Sequence, residues 1–83
     1  MKIKYLTWLY ERTGKHEEII QLPESIQTIS DVLDYLESSR PEYNNVFKHR
    51  HVIYSAVNDE MRPHDFPISN TDEISLFSAM VGG

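Results

Sequence analysis

The chain has no cysteine, only three glycines and four prolines, and far fewer bases than acids. Without cysteine no disulfide can staple the fold, and no thiol can serve as nucleophile, metal ligand or persulfide carrier. If sulfur chemistry is involved, it must use some other group. No run of 18 apolar residues exists, which excludes a membrane-spanning helix of ordinary length. Met1-Lys2-Ile3-Lys4 enters an apolar, strand-like run at once, without a charged-then-apolar leader pattern. Thirteen Asp and Glu against eight Lys and Arg give a net charge of −5, which disfavours nucleic acid and suits a partner with a basic surface. No repeat, linker or low-complexity stretch interrupts the 83 residues, a length that suits one small domain over 1–83 with a modest core.

Two of the three glycines are the last two residues. At ordinary glycine usage about one chain in 200 would end so by chance. A frayed end is the plain alternative. Beyond Val81 there is no functional side chain, so any chemistry at Gly83 belongs to its backbone carboxylate, which is ionised and unreactive at neutral pH. Activated by a partner, for example as an acyl-adenylate, it becomes an electrophile on a thin stalk. A residue without Cβ can enter a channel too narrow for others. From Ala79 to Gly83 the stalk spans about 15 Å when extended.

Upstream, the pattern predicts alternating elements. Ile3 to Tyr10 reads as a first strand, with Ile3, Tyr5 and Thr7 on one face and Lys4, Leu6 and Trp8 on the other. Glu11 to Lys15 reads as a turn around Gly14, and Glu17 to Leu22 as a second strand closing a hairpin. Thr28 is a helix N-cap with Asp31 as its capping-box acid, and Ile29, Val32, Leu33 and Leu36 form one apolar stripe. That helix ends near Ser38 to Arg40, before Pro41. Pro41 to Phe47 suits a further helical turn that places Tyr43 and Phe47 at the core edge. His51 to Val57 reads as a central strand, and Asn58-Asp59 as a turn after which Glu60-Met61-Arg62 pairs back. Pro63 to Asp72 is irregular, and Ile74 to Phe77 is the last strand, with Ile74 and Leu76 on one face and Ser75 and Phe77 on the other. A hairpin, a crossover helix and later strands make an α+β fold of the ubiquitin-like β-grasp plan, a mixed sheet packed on one main helix.

Ala56-Val57-Asn58, Pro67-Ile68, Asp72 to Phe77 and the terminal Gly82-Gly83, in that order, resemble the small subunit of molybdopterin synthase, the MoaD family. Tyr5 to Trp8 with Glu11 to Gly14, and Thr28 to Leu33, are similar to that family's first strand and helix start. The resemblance covers the whole chain. It departs where the family commonly has a proline pair, since Ser78-Ala79 and Met80-Val81 stand between the last aromatic and the glycines. Without proline the stalk is less pre-stiffened.

The resemblance implies a sulfur-carrier subunit, cytoplasmic and not catalytic alone. Gly83 is adenylated by an enzyme of the ubiquitin-activating class (MoeB-like) that uses ATP and magnesium, and then becomes a thiocarboxylate. Gly82 and Val81 thread into a large synthase subunit (MoaE-like), where the sulfur passes to cyclic pyranopterin monophosphate. The chain itself holds no permanent cofactor and no metal. Alternatives are a carrier for thiamine or tRNA thiolation, a protein modifier, or an inert ubiquitin-like interaction module. If Ile74 and Leu76 face the helix, Phe77 faces outward at the root of the stalk, where Leu6, Tyr54 and Trp8 can join it in a partner-binding patch. In the basic segment Lys48 to His51, His49 and His51 could share a face and bind a metal, but no third ligand is evident; a solvated loop is the plainer reading. No set of nucleophile, base and orienting acid can be assembled.

Overall fold

A computed structural model describes residues 1–6 and 8–78, apart from the side chains of Trp8, Asn44 and Asn45. The strands are β1 (Lys2–Tyr5), β2 (Glu17–Ile19), β3 (Ile53–Val57), β4 (Glu60–Met61) and β5 (Glu73–Ser78). The helices are α1 (Trp8–Thr13), α2 (Ile29–Ser39) and α3 (Asn44–Phe47), with 3-10 turns at Pro41–Tyr43 and Arg50–Val52. The strands form one five-stranded sheet in the order β2-β1-β5-β3-β4. β1 and β5 are parallel and every other pair is antiparallel. This is the mixed β-grasp sheet expected from the sequence.

The helix α2 forms where its signals place it. Thr28 Oγ1 accepts from the Asp31 amide at 3.2 Å, and the Asp31 carboxylate accepts from the Gln27 and Thr28 amides at 3.0 and 3.2 Å. These bonds satisfy donors that a helix start otherwise leaves unpaired, and they hold the Asp31 carboxyl below its ordinary pKa, the Gln27 amide being the largest cause. Ile29, Val32, Leu33 and Leu36 are fully buried and share a core with Ile3, Tyr5, Ile53, Val57, Ile74 and Leu76. Leu9, Tyr43, Val46 and Phe47 close the same core from the connecting helices. The stripe thus meets the inward residues of three strands, the contact that makes one amphipathic helix and one sheet a stable pair.

Three elements differ from expectation. The first strand stops at Tyr5, and Trp8–Thr13 is helical where strand and turn were expected. β2 begins only at Glu17, opposite Lys4, so the ladder offers β1 partners only for Lys2 to Lys4, besides the flanking bonds at Met1 and Tyr5. Past that point the chain satisfies its backbone locally. Leu9 turns inward, Thr13 Oγ1 donates to the Leu9 carbonyl at 3.0 Å, and Gly14 at φ +75 ends the helix with its amide on Tyr10 O. In the second difference, Ile20 and Leu22 are core residues in extended chain beyond β2, not strand residues. In the third, β3 begins at Ile53 because Arg50–Val52 forms a 3-10 turn held by Arg50, whose guanidinium reaches Asp34 and Glu37 of α2 at 2.6 and 2.8 Å. The middle position of the sheet belongs to β5, and β3 keeps one partly open face, with Tyr54 exposed.

Between β3 and β4, Asn58 and Asp59 both take positive φ, the conformation of a two-residue hairpin turn that Asn and Asp tolerate. On the hairpin side of the sheet, Glu18 approaches Arg40 Nε at 2.7 Å and Lys15 Nζ at 3.1 Å. Beneath it Tyr5 and Tyr43 meet edge to face at 6.0 Å. Burial pushes the Tyr5 hydroxyl far above its ordinary pKa, so it stays neutral. This cluster ties the β1–β2 hairpin to the end of α2.

Candidate docking surface

Period-two alternation gives the sheet an inner and an outer face. Ile3 and Tyr5 of β1, Ile74 and Leu76 of β5, and Ile53 and Val57 of β3 point to α2 and are buried. Ser55 also points inward and is satisfied by donating to the Arg62 carbonyl at 2.8 Å. The other set faces outward, and register determines what meets there. Tyr54 pairs with Phe77, Ala56 with both Ser75 and Met61, and the Leu6 amide bonds Leu76 O at 2.9 Å beside Phe77.

The result is an apolar corner. Leu6 is 42% exposed, Tyr54 44% and Met61 59%, values far above those of the core. Phe77 is half-buried among them, its ring 6.0 Å from that of Tyr54 at 82°, an edge-to-face pair. A shallow notch of about 340 Å³ opens beside Tyr54 and Met61, where β4 ends, and Arg62, Pro63 and His64 border it. There His64 Nε2 donates to the Ile53 carbonyl at 2.8 Å, covering a sheet edge that β4 leaves open. At the opposite corner of the face lie ion pairs, Lys4 with Glu73 at 2.7 Å and Lys2 with Glu17 at 3.2 Å. The hydrogen bond between Lys4 and Glu73 raises the lysine pKa and lowers that of the acid, so both stay charged at neutral pH. An apolar corner beside a charged one is the composition of a docking face with a wet rim.

The structure brings together Leu6, Tyr54 and Phe77 as expected. Trp8 is not in that strand row, because its backbone opens α1; its side chain lies outside the described residues. Val81, Gly82 and Gly83 also lie outside them. Met61 belongs to the corner and was missed. The Asn58-Asp59 turn contained the signal, since a two-residue hairpin loop sets Met61 opposite Ala56, on the face of Tyr54. Among the described residues, no three His, Cys, Asp or Glu side chains gather as a metal site, and His49 and His51 only meet edge to face at 6.1 Å. No described helix is long and apolar enough to cross a membrane.

The family model described as the ThiS family matches residues 3–83. The chain belongs to the ThiS family. Its fold is that of the ubiquitin-like sulfur carriers. A solved structure described as molybdopterin converting factor, subunit 1, from Pyrococcus furiosus matches at TM-score 0.74 and 20% identity, over 95% of each chain. A structure of SAMP1 from Haloferax volcanii matches at TM-score 0.76 and 24% identity, over 99% of this chain and 97% of that one. One of small archaeal modifier protein 1 from the same organism matches at 0.74 and 23%, over 95% of each. No curated protein matches in sequence. Proteins of the ThiS/MoaD family act with partner enzymes.

Proposed function

We propose that the chain is the sulfur-carrier subunit of a molybdopterin synthase. The observation that carries this is the position of the apolar corner. Phe77, at its centre, is one residue from the end of β5, and the Val81-Gly82-Gly83 end lies only a few residues further on. A partner that covers Leu6, Tyr54, Met61 and Phe77 therefore has the C-terminus within about 15–20 Å of the corner, the reach of five extended residues. Docking and delivery are then set by one ladder of β-pairing.

In this reading Gly83 does the chemistry and the folded part does the binding. An adenylating enzyme joins the Gly83 carboxylate to AMP, using ATP and magnesium and releasing pyrophosphate. A sulfur donor displaces AMP and leaves a thiocarboxylate. Docked on the large synthase subunit, the sulfur attacks cyclic pyranopterin monophosphate, water cleaves the resulting thioester and returns Gly83 as its carboxylate, and two such transfers build a dithiolene. Acids and bases come from the partner, in keeping with the absence of any catalytic set in this sequence. The test is conversion of the pterin precursor by thiocarboxylated protein with the large subunit. No conversion by the loaded pair rejects the pathway, while a thiocarboxylate found on protein from cells, about 16 Da heavier than the carboxylate form, retains the carrier role.

A second reading has one observation in its favour. Two of the structural matches carry the description SAMP1 or small archaeal modifier protein 1, so a role as a protein modifier uses the same Gly-Gly end. Its signature is Gly83 joined to a lysine of another protein, detected by peptide mass spectrometry.

A further inference from the structure

The segment Lys48 to His51 is the one concentration of basic side chains in an acidic chain, and topology sets it beside the end of β5. Ile53 pairs with Ser78, so the 3-10 turn Arg50–Val52 leads into β3 at the end of the sheet where β5 finishes. Leu6 and α1 flank β5 on its other side. The segment is therefore at the same end as the Leu6–Tyr54–Phe77 corner.

Apart from Arg50, its side chains form no ion pair within the described structure. Lys2, Lys4, Lys15, Arg40, Arg50 and Arg62 each sit in an ion pair with a glutamate or aspartate. Lys48 has no such pair among the described residues, and it, His49 and His51 are exposed. Arg50 alone turns back, clamped by Asp34 and Glu37, and so fixes the backbone that presents its neighbours. The carboxylates that reach the segment are Asp34 and Glu37 of α2, and both are engaged by Arg50. An acidic chain is drawn to a basic partner in many orientations. A cationic spot next to the delivery end selects the one in which it meets acid, since misplaced like charges cost affinity.

We propose that Lys48, flanked by the exposed His49 and His51, forms a cationic contact for a carboxylate-bearing rim on the adenylating enzyme, next to the site where that enzyme covers the apolar corner. This rests on the proposal that Gly83 is activated, but not on which pathway uses the sulfur. The assay is ATP–pyrophosphate exchange by the adenylating enzyme of the same genome, with the carrier as varied substrate. Lys48→Glu should raise the KM for the carrier about tenfold at low salt and leave kcat unchanged, because it alters encounter and not the reacting end. At 0.5 M salt the gap should close to within about twofold, as screening shortens the reach of the charge. Lys48→Glu/His51→Glu should raise KM further, and Lys48→Arg should restore it. An unchanged or lower KM for both acidic variants, or a loss confined to kcat, overturns the inference while leaving carrier activation intact. An oligonucleotide bound by the wild type and lost in Lys48→Glu, with KM unchanged, assigns the segment to nucleic acid and also overturns it. Absence of any exchange with the wild type rejects the activation of Gly83, and the inference with it.

Discussion

Leu76 and Phe77 are neighbours in one strand, and replacing each by alanine should produce opposite phenotypes. Leu76 is fully buried between the sheet and α2. Its truncation removes apolar contacts and leaves a cavity, which costs about 2–5 kcal/mol. A domain of this length has a stability of about 4–12 kcal/mol, so the loss is a large fraction of the total. It corresponds to at least about 8 °C in Tm. Phe77 is half-buried and its described ring partner is Tyr54. Losing that edge-to-face pair costs about 0.5–1.5 kcal/mol of pair energy, and the remaining loss of contact is shared with solvent. Docking should suffer instead, by about 1–3 kcal/mol, as for a central aromatic anchor. The two variants are compared by thermal unfolding and by titration calorimetry against the large subunit. Leu76→Ala should show the larger Tm loss, and Phe77→Ala, measured well below its Tm, the larger loss of affinity. If Phe77→Ala melts as low as Leu76→Ala and binds like wild type, Phe77 is a core residue and the outer corner is not the docking face.

Met61→Lys should weaken the same docking by about tenfold through a charge placed within the corner, with the fold unchanged, because Met61 is mostly exposed. Thr28→Ala should cost about 1 kcal/mol and lower the Tm by several degrees, since one helix-start amide loses its acceptor. Asp31 has a folded pKa below its unfolded one, so its contribution is present above the unfolded pKa near 4 and is lost as pH falls through the folded value. Asp31→Asn should therefore flatten the acid limb of a stability-versus-pH curve and leave the limb above pH 6 unaltered in shape. Deleting Gly83 should abolish pterin conversion without moving the Tm, and adding one residue after it should do the same, because the reacting carbon shifts by about 3.5 Å.

The sequence by itself determined the elements whose causes are local. The capping box of Thr28 and Asp31, the stripe from Ile29 to Leu36 and the alternation of Ile74, Leu76 and Phe77 are patterns within a few residues of one another, and each is found where its pattern lies. The inward and outward sets of β1 followed from the same alternation as far as Tyr5. Tertiary structure decided what depends on where a partner strand ends. Tyr5 to Tyr10 has strand composition, yet β2 offers no ladder beyond Lys4 apart from a flanking bond to Tyr5, and the chain coils into α1 to pair its own amides. That coil removed Trp8 from the strand row in which it was expected. Met61 entered the apolar corner only through its pairing with Ala56, and the basic segment reached the end of β5 only through Ile53 and Ser78, residues 25 apart in sequence. Periodicity fixes which face a side chain takes within its own element, whereas neighbours on that face are set by register between strands, which is a property of the whole sheet.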